Sequence, residues 1–276
     1  MKKIGLSLGA GGARGLAHII ILEAFEELNL KPHIISGSSI GAIVGAAYAS
    51  GMTTKEMKDS VGELVLSKDF KFTEFYKKYD VFKIIDMLDV SMSTSGFFKG
   101  DKFLSFYKEK IKTYKFSNLE IPIKIVATEY WNKKEHHFTS GNLIEAVRAS
   151  YALPTLFTPM KLGNGLFMDG GMVNPLPYDI IQDECDYVIG VDVSSKKGIN
   201  NNEIPNALDS LFASFQIMQN SILTQKLKST KPDLLLEIDI KDVRMFEFNK
   251  VEEIWEQAKK QKKILKKELM ELDFSD

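Results

Sequence analysis

One cysteine, four histidines and no long hydrophobic run in 276 residues remove several classes of protein at the outset. The single Cys185 excludes an internal disulfide and any metal site built from several cysteines, and a lone buried thiol is the expectation for it. Without about 18 consecutive apolar residues, no transmembrane helix is expected. Met1-Lys2-Lys3 ahead of Ile4-Gly5-Leu6-Ser7-Leu8 carries the charge of a signal peptide but not its apolar centre, since glycines interrupt the run and Arg14 follows. The expected address is the cytoplasm. Neither sign of charge prevails: 36 Lys and Arg stand against 37 Asp and Glu, a net of −1 that gives no support to nucleic-acid binding. No internal repeat, low-complexity linker or break in composition divides residues 1–276, so a single domain is expected, long enough to bury a sizeable core.

The chain opens as an alternation of strands and helices. Lys3 to Leu8 reads as a buried strand, Gly9 to Gly15 as a glycine-rich loop, and Leu16 to Leu28 as a helix. His33 to Ile35 reads as a second strand, and a helix rich in small residues runs from Ala42 to about Gly51. This order begins a mainly parallel sheet with helices on both faces, a three-layer α/β/α fold. Both glycine-bearing turns then lie at carboxyl ends of strands, where such sheets gather their sites. Further on, strands are predicted at Ile121–Tyr130, Gly165–Met168, Tyr187–Val193 and Leu234–Ile240, with helices over Thr53–Leu66, Asp101–Lys112, Leu143–Ala149, Asn206–Leu227 and Lys250–Leu272. Eleven of the 29 aromatic residues crowd between Phe70 and Tyr107. They read as an aromatic-rich insertion that completes the core or walls an apolar ligand.

Between the second strand and its helix stands Gly37-Ser38-Ser39-Ile40-Gly41. It fits the nucleophile elbow G-x-S-x-G, which exposes the middle serine at the end of a strand. Ser38, one residue early, is a weaker nucleophile because the elbow turns it aside. The loop Gly9-Ala10-Gly11-Gly12-Ala13-Arg14-Gly15 lacks the terminal Lys-Ser/Thr of a P-loop and the strict spacing of a dinucleotide loop. As an oxyanion loop, its adjacent glycines turn backbone N–H groups toward charge developing on a carbonyl oxygen. Of the histidines, only His136 and His137 follow the serine in the order usual for α/β-hydrolases. Asp169 in Phe167-Met168-Asp169-Gly170-Gly171 is the better base, since Gly170 and Gly171 let the chain turn away beneath its carboxylate. Arg148 reads as a head-group ligand or an ion-pair member. The lysines of Lys250–Leu272 read as a solvated face, with anionic lipid as the alternative. No metal-ligand spacing occurs.

The glycine loop, the elbow, Ala146-Val147-Arg148-Ala149-Ser150-Tyr151-Ala152-Leu153-Pro154, and Asp169-Gly170-Gly171 followed by Asn174-Pro175 together resemble the patatin-like phospholipase family. The likeness covers about 3–194 and leaves 195–276 as an extension of helix and strand. It implies a Ser39–Asp169 dyad without histidine and an oxyanion hole from the Gly11 and Gly12 amides. Ala10, Arg14 and Gly15 support that loop. Ala10 stands where many members have glycine, its N–H expected to remain available. The implied activity is hydrolysis of lipid acyl esters, of phospholipase A or lysophospholipase type, through an acyl-serine. The implied partner is a lipid or acyl-ester substrate with peripheral membrane contact, and no metal or cofactor is needed. Thioesterase or acyltransferase action is the alternative chemistry, and a lipid-binding regulatory module the alternative class. The head group, the acyl chain and any protein partner are unreadable, and residues 66–98 match no motif.

Overall fold

The computed structural model describes residues 2–66, 101–154, 156–194, 204–205 and 207–272. Phe70 to Phe98, most of the aromatic-rich stretch, lie outside the described residues. Among the described residues eight strands form one sheet: β1 Ile4–Leu8, β2 Ile34–Ser38, β3 Ile123–Glu129, β4 Lys134–Phe138, β5 Met160–Leu162, β6 Gly165–Asp169, β7 Tyr187–Asp192 and β8 Leu234–Glu237. The helices are α1 Ala17–Glu27, α2 Ile40–Ala49, α3 Thr54–Leu66, α4 Asp101–Lys110, α5 Leu143–Ser150, α6 Ala207–Ser229 and α7 Val251–Glu271.

Five strands, β3-β2-β1-β7-β8, run parallel at the centre of the sheet. β4, β5 and β6 add antiparallel pairs beside β3, which makes the sheet mixed. The two faces follow from strand alternation. Leu6, Leu8, Ile35, Ile125, Ile189 and Val191 enter one core with α1, α2 and α7. Ile34 and Val188 point the other way, against Tyr178, Ile181 and Leu223. These are the three layers expected, with α6 and the 3-10 segment Asp179–Glu184 forming the third. Cys185 is half-buried beside Gly5, and burial pushes its thiol up to about 11.

One detail of register positions the site. Ile125 and Val126 pair with both β2 and β4, so those strands hold opposite edges of β3. Ala127 to Glu129 pair with both β4 and β6, so β6 lies on the edge that β2 occupies further back. β6 thus begins pairing where β2 stops. The last residue of β6, Asp169, pairs with Ala127, next to Val126, the partner of Ser38 at the end of β2.

The last helix is amphipathic as its sequence predicts. Val251, Ile254, Ala258, Leu265 and Leu269 are buried. Lys262 pairs with Glu23 and Glu27 of α1, and Lys266 with Glu27, which favours a solvated, packed face over a lipid-binding one. Among the described residues no helix is long and apolar enough to cross a membrane.

Candidate active site

The elbow is tighter than its sequence suggests. Gly37 and Ser38 belong to β2, and Ser39 alone makes the turn into α2. Ser39 has φ 55° and ψ −120°, a left-handed conformation that costs a side-chain-bearing residue of order 1–3 kcal/mol. The surroundings hold it there. Its N–H donates to Ser150 Oγ at 2.9 Å, and that hydroxyl donates to the Val126 carbonyl at 2.6 Å. α2 lies so close to β1 that a side-chain carbon at Gly41 would sit 2.0 Å from the Leu8 carbonyl oxygen. Gly15 meets Ile40 from the loop side.

Ser39 Oγ donates to Asp169 Oδ2 at 2.6 Å. The carboxylate is buried, and its other oxygen accepts the Gly171 N–H at 2.8 Å, across the Gly170–Met172 turn. The Asp169 backbone is fixed by Thr128, whose hydroxyl donates to its carbonyl at 2.7 Å, and by its own N–H, which donates to the Ala152 carbonyl at 3.1 Å. Burial pushes the Asp169 carboxyl up to about 6, and the hydrogen bonds from Ser39 and Gly171 oppose that rise. A carboxylate held near neutrality is a better proton acceptor than a solvated one. Ser38 Oγ is buried with no hydrogen-bond partner among the described residues, which leaves Ser39 as the serine with an acceptor.

The loop between β1 and α1 forms the facing wall. Gly12 has φ +60°, and a side-chain carbon there would lie 2.3 Å from the Met245 carbonyl oxygen. The same carbonyl accepts the Ala13 N–H at 2.7 Å. The Gly11 and Gly12 amides meet no acceptor among the described residues. Ala10 departs from expectation: its N–H donates to the Pro175 carbonyl at 2.8 Å, so it anchors the loop and is not free for a ligand. Arg14 is buried beneath the loop, its Nη1 3.5 Å from the Val243 carbonyl; burial lowers it to about 10, offset by Asp192, so it stays charged.

The four histidines lie elsewhere. His18 is fully buried, with Nε2 2.8 Å from the Gly9 carbonyl, and burial lowers its pKa to about 4. The neutral ring therefore donates to that carbonyl and props the loop. His33 is exposed. His136 packs between Phe138 and Phe167, and His137 bonds Glu135. Arg148 is also buried; its Nη2 donates to the Thr158 carbonyl at 2.8 Å, and its plane lies over Tyr151 and Phe157.

An apolar cavity of about 160 Å³ starts at Ser39, Asp169 and Gly11–Gly12. It follows the α2 face of Ile40, Ile43, Val44 and Ala47 toward Met57 and Val61 of α3, with Phe103, Phe106 and Tyr107 of α4 opposite. From Ser39 to Ala47 it spans roughly 12 Å at about 1.5 Å per residue. The Tyr107 hydroxyl, deep in this wall, donates to the Ile43 carbonyl at 2.9 Å, so its own hydrogen is turned away from the apolar space. Among the described residues no cluster of His, Cys, Asp and Glu is arranged to hold a metal.

Two contributors were invisible in the sequence. Ser150 lies inside a quoted motif, but nothing in its spacing says that its hydroxyl returns to the elbow. Thr128 gives no signal at all, because an alternating strand accounts for it fully.

Relatives of this arrangement are known. An uncharacterized NTE family protein of Mycobacterium tuberculosis is 33% identical over 175 residues, 63% of this chain and 44% of that protein. Neuropathy target esterase sws of Drosophila melanogaster is 31% identical over 199 residues, 71% of this chain and 13% of that protein. The chain thus spans less than half the length of these curated relatives. In fold it is similar to VipD from Legionella pneumophila, with a TM-score of 0.53, 14% identity, and coverage of 97% of this chain and 67% of that one. The family model for patatin-like phospholipase matches residues 6–181. Loop, elbow and aspartate turn all fall inside that span, and the chain belongs to the patatin-like phospholipase family.

Proposed function

We propose that this protein hydrolyses acyl esters of lipids, in the manner of a phospholipase A or lysophospholipase, with Ser39 as nucleophile and Asp169 as its base. The observation that carries this reading is the 2.6 Å hydrogen bond from Ser39 Oγ to a buried carboxylate at the head of an apolar cavity. Asp169 takes the hydroxyl proton as Ser39 Oγ attacks the ester carbonyl carbon. The Gly11 and Gly12 amides donate to the oxygen as it becomes negative. Collapse of the tetrahedral intermediate breaks the ester C–O bond, and the leaving alcohol takes the proton from Asp169. The acyl-serine is then hydrolysed by water that gives its proton to the same carboxylate, and Ser39 recovers its hydrogen as the fatty acid leaves. The left-handed turn at Ser39 keeps Oγ at the open end of the cavity, where an acyl chain lying along α2 brings its carbonyl. The esterase and phospholipase names of the relatives agree with this chemistry.

The test is turnover of p-nitrophenyl acyl esters by purified Ser39→Ala. A fall of at least about a thousandfold is expected, with unchanged circular dichroism. Wild-type turnover in that variant would remove Ser39 from the role. A fluorophosphonate probe gives the second readout: labelling of the wild type and not of Ser39→Ala supports an enzyme, and a folded wild type that takes no label supports a lipid-binding module.

A further inference from the structure

Among the described residues, the turn between β3 and β4 carries an exposed aromatic surface that the fold does not use. Tyr130 and Trp131 are 44% and 65% exposed, and their rings meet edge to face at 4.8 Å, packed against each other. Buried aromatic area is normally a main source of stability, so two adjacent rings left in water at a hairpin tip contribute little to this fold. Lys133 and Lys134 follow after Asn132, both exposed. Lys161 of β5 is exposed two strands away, at the level where Leu166 receives the Tyr130 N–H. None of the three lysines has a carboxylate partner among the described residues. The nearby carboxylates are engaged: Glu129 accepts the Asn132 N–H, and Glu135 accepts from Asn174 and pairs with His137. The tip is therefore an aromatic pair ringed by free cations.

Its position is as telling as its composition. β1, β2 and β3 are parallel, so their carboxyl ends share one edge of the sheet, and Gly11, Ser39 and Tyr130 all lie along it. Tyr130 is three residues beyond Ala127, the partner of Asp169, hence about 10 Å further along β3 toward the carboxyl edge of the sheet.

We infer that the Tyr130–Trp131 tip, with Lys133, Lys134 and Lys161, is the surface by which this protein docks on an anionic phospholipid membrane. Tyr and Trp settle at the boundary of head groups and acyl chains because each has an apolar body and a polar edge. Lysines beside them are drawn to a negatively charged leaflet. The site edge then meets the membrane first, which suits lipid-ester chemistry at Ser39, the reading on which this docking rests.

The experiment uses the full chain carrying Ser39→Ala, so that vesicles are not consumed, and sucrose-loaded vesicles of phosphatidylcholine with and without phosphatidylglycerol. Co-sedimentation with the mixed vesicles is expected to fall about tenfold in Trp131→Ser and about fivefold for each lysine changed to glutamine. Trp131 and Trp255 are the only tryptophans. A blue shift of emission on adding vesicles should therefore vanish in Trp131→Ser, because Trp255 is tied to the Leu16 carbonyl. In a Ser39 background the same changes should leave turnover of a soluble short-chain ester untouched. Equal sedimentation of Trp131→Ser and its parent, or binding indifferent to phosphatidylglycerol, overturns the inference. Wild-type ester turnover in Ser39→Ala, or a folded wild type that takes no fluorophosphonate label, with Trp131-dependent binding intact, overturns the catalytic reading alone.

Discussion

At the scale of single residues, Asp169 shows what the site costs the fold. Its folded-state pKa of about 6 lies above the ordinary value of 3.8, because burial penalises the charged form. The folded protein therefore holds this proton more tightly than the unfolded chain does. The residue's contribution to stability is greatest below about pH 4, declines as pH rises toward 6 and stays reduced above it. Two consequences follow together. Under the proposed mechanism hydrolysis needs the carboxylate, so kcat/KM should rise with pH through a limb near 6, measurable with a neutral ester. Asp169→Asn should lose hydrolysis while unfolding at higher temperature than the wild type at pH 7.5, by up to about 3 kcal/mol. That gain should vanish at pH 4, which thermal denaturation at the two pH values would detect. A gain equal at both would assign the stabilisation to something other than ionisation.

Elements show what sequence could and could not disclose. β1, β2 and β7 were legible because a strand covered on both faces reads as an unbroken apolar run. α7 was legible from its stripe, and α1 from its apolar spacing. β5 was not foreseen: Met160-Lys161-Leu162 is three residues long, too short for any alternation to register. The elbow was placed correctly, but Gly37 and Ser38 read as turn residues. Only pairing with β3 shows that they are strand, and pairing partners are not written in local sequence. The meeting of Ser39 and Asp169 was legible for a different reason, since a glycine-flanked serine and an aspartate before two glycines are local features. The supports from Ser150, Thr128 and His18 are tertiary, and so is the loss of the Ala10 amide to Pro175. The role of α2 as a wall also yields a prediction. Ala47 lies well along the cavity from Ser39. Ala47→Phe should leave turnover of a four-carbon ester intact and lower kcat/KM for a twelve-carbon ester by about tenfold or more. A uniform loss across chain lengths would place the acyl chain elsewhere.

At the scale of the whole molecule, the segment beyond the family match is woven into the part that bears the motifs. β8 extends the sheet beside β7, and five α7 residues are buried in the principal core. The Met245 carbonyl accepts the Ala13 N–H and so fixes the loop that lines the cavity with Ser39. We propose that the chain is a single domain. A protein ending at Ser194 should then lose cooperative thermal unfolding and all labelling by a fluorophosphonate; a cooperative melt of that fragment would divide the chain in two.

The shared edge of β3 has a consequence for how such a site can change over time. The serine rides at the end of one strand and the aspartate at the end of another, and β3 fixes the interval between them. Strand pairing permits only whole-residue shifts. A slip of one residue turns Asp169 to the opposite face of the sheet, and a slip of two carries it roughly 7 Å away. The distance between the pair is thus quantised, not graded. Drift in the surrounding sequence cannot loosen it by small degrees, so a lineage would be expected to keep this pair whole or lose it in a single step.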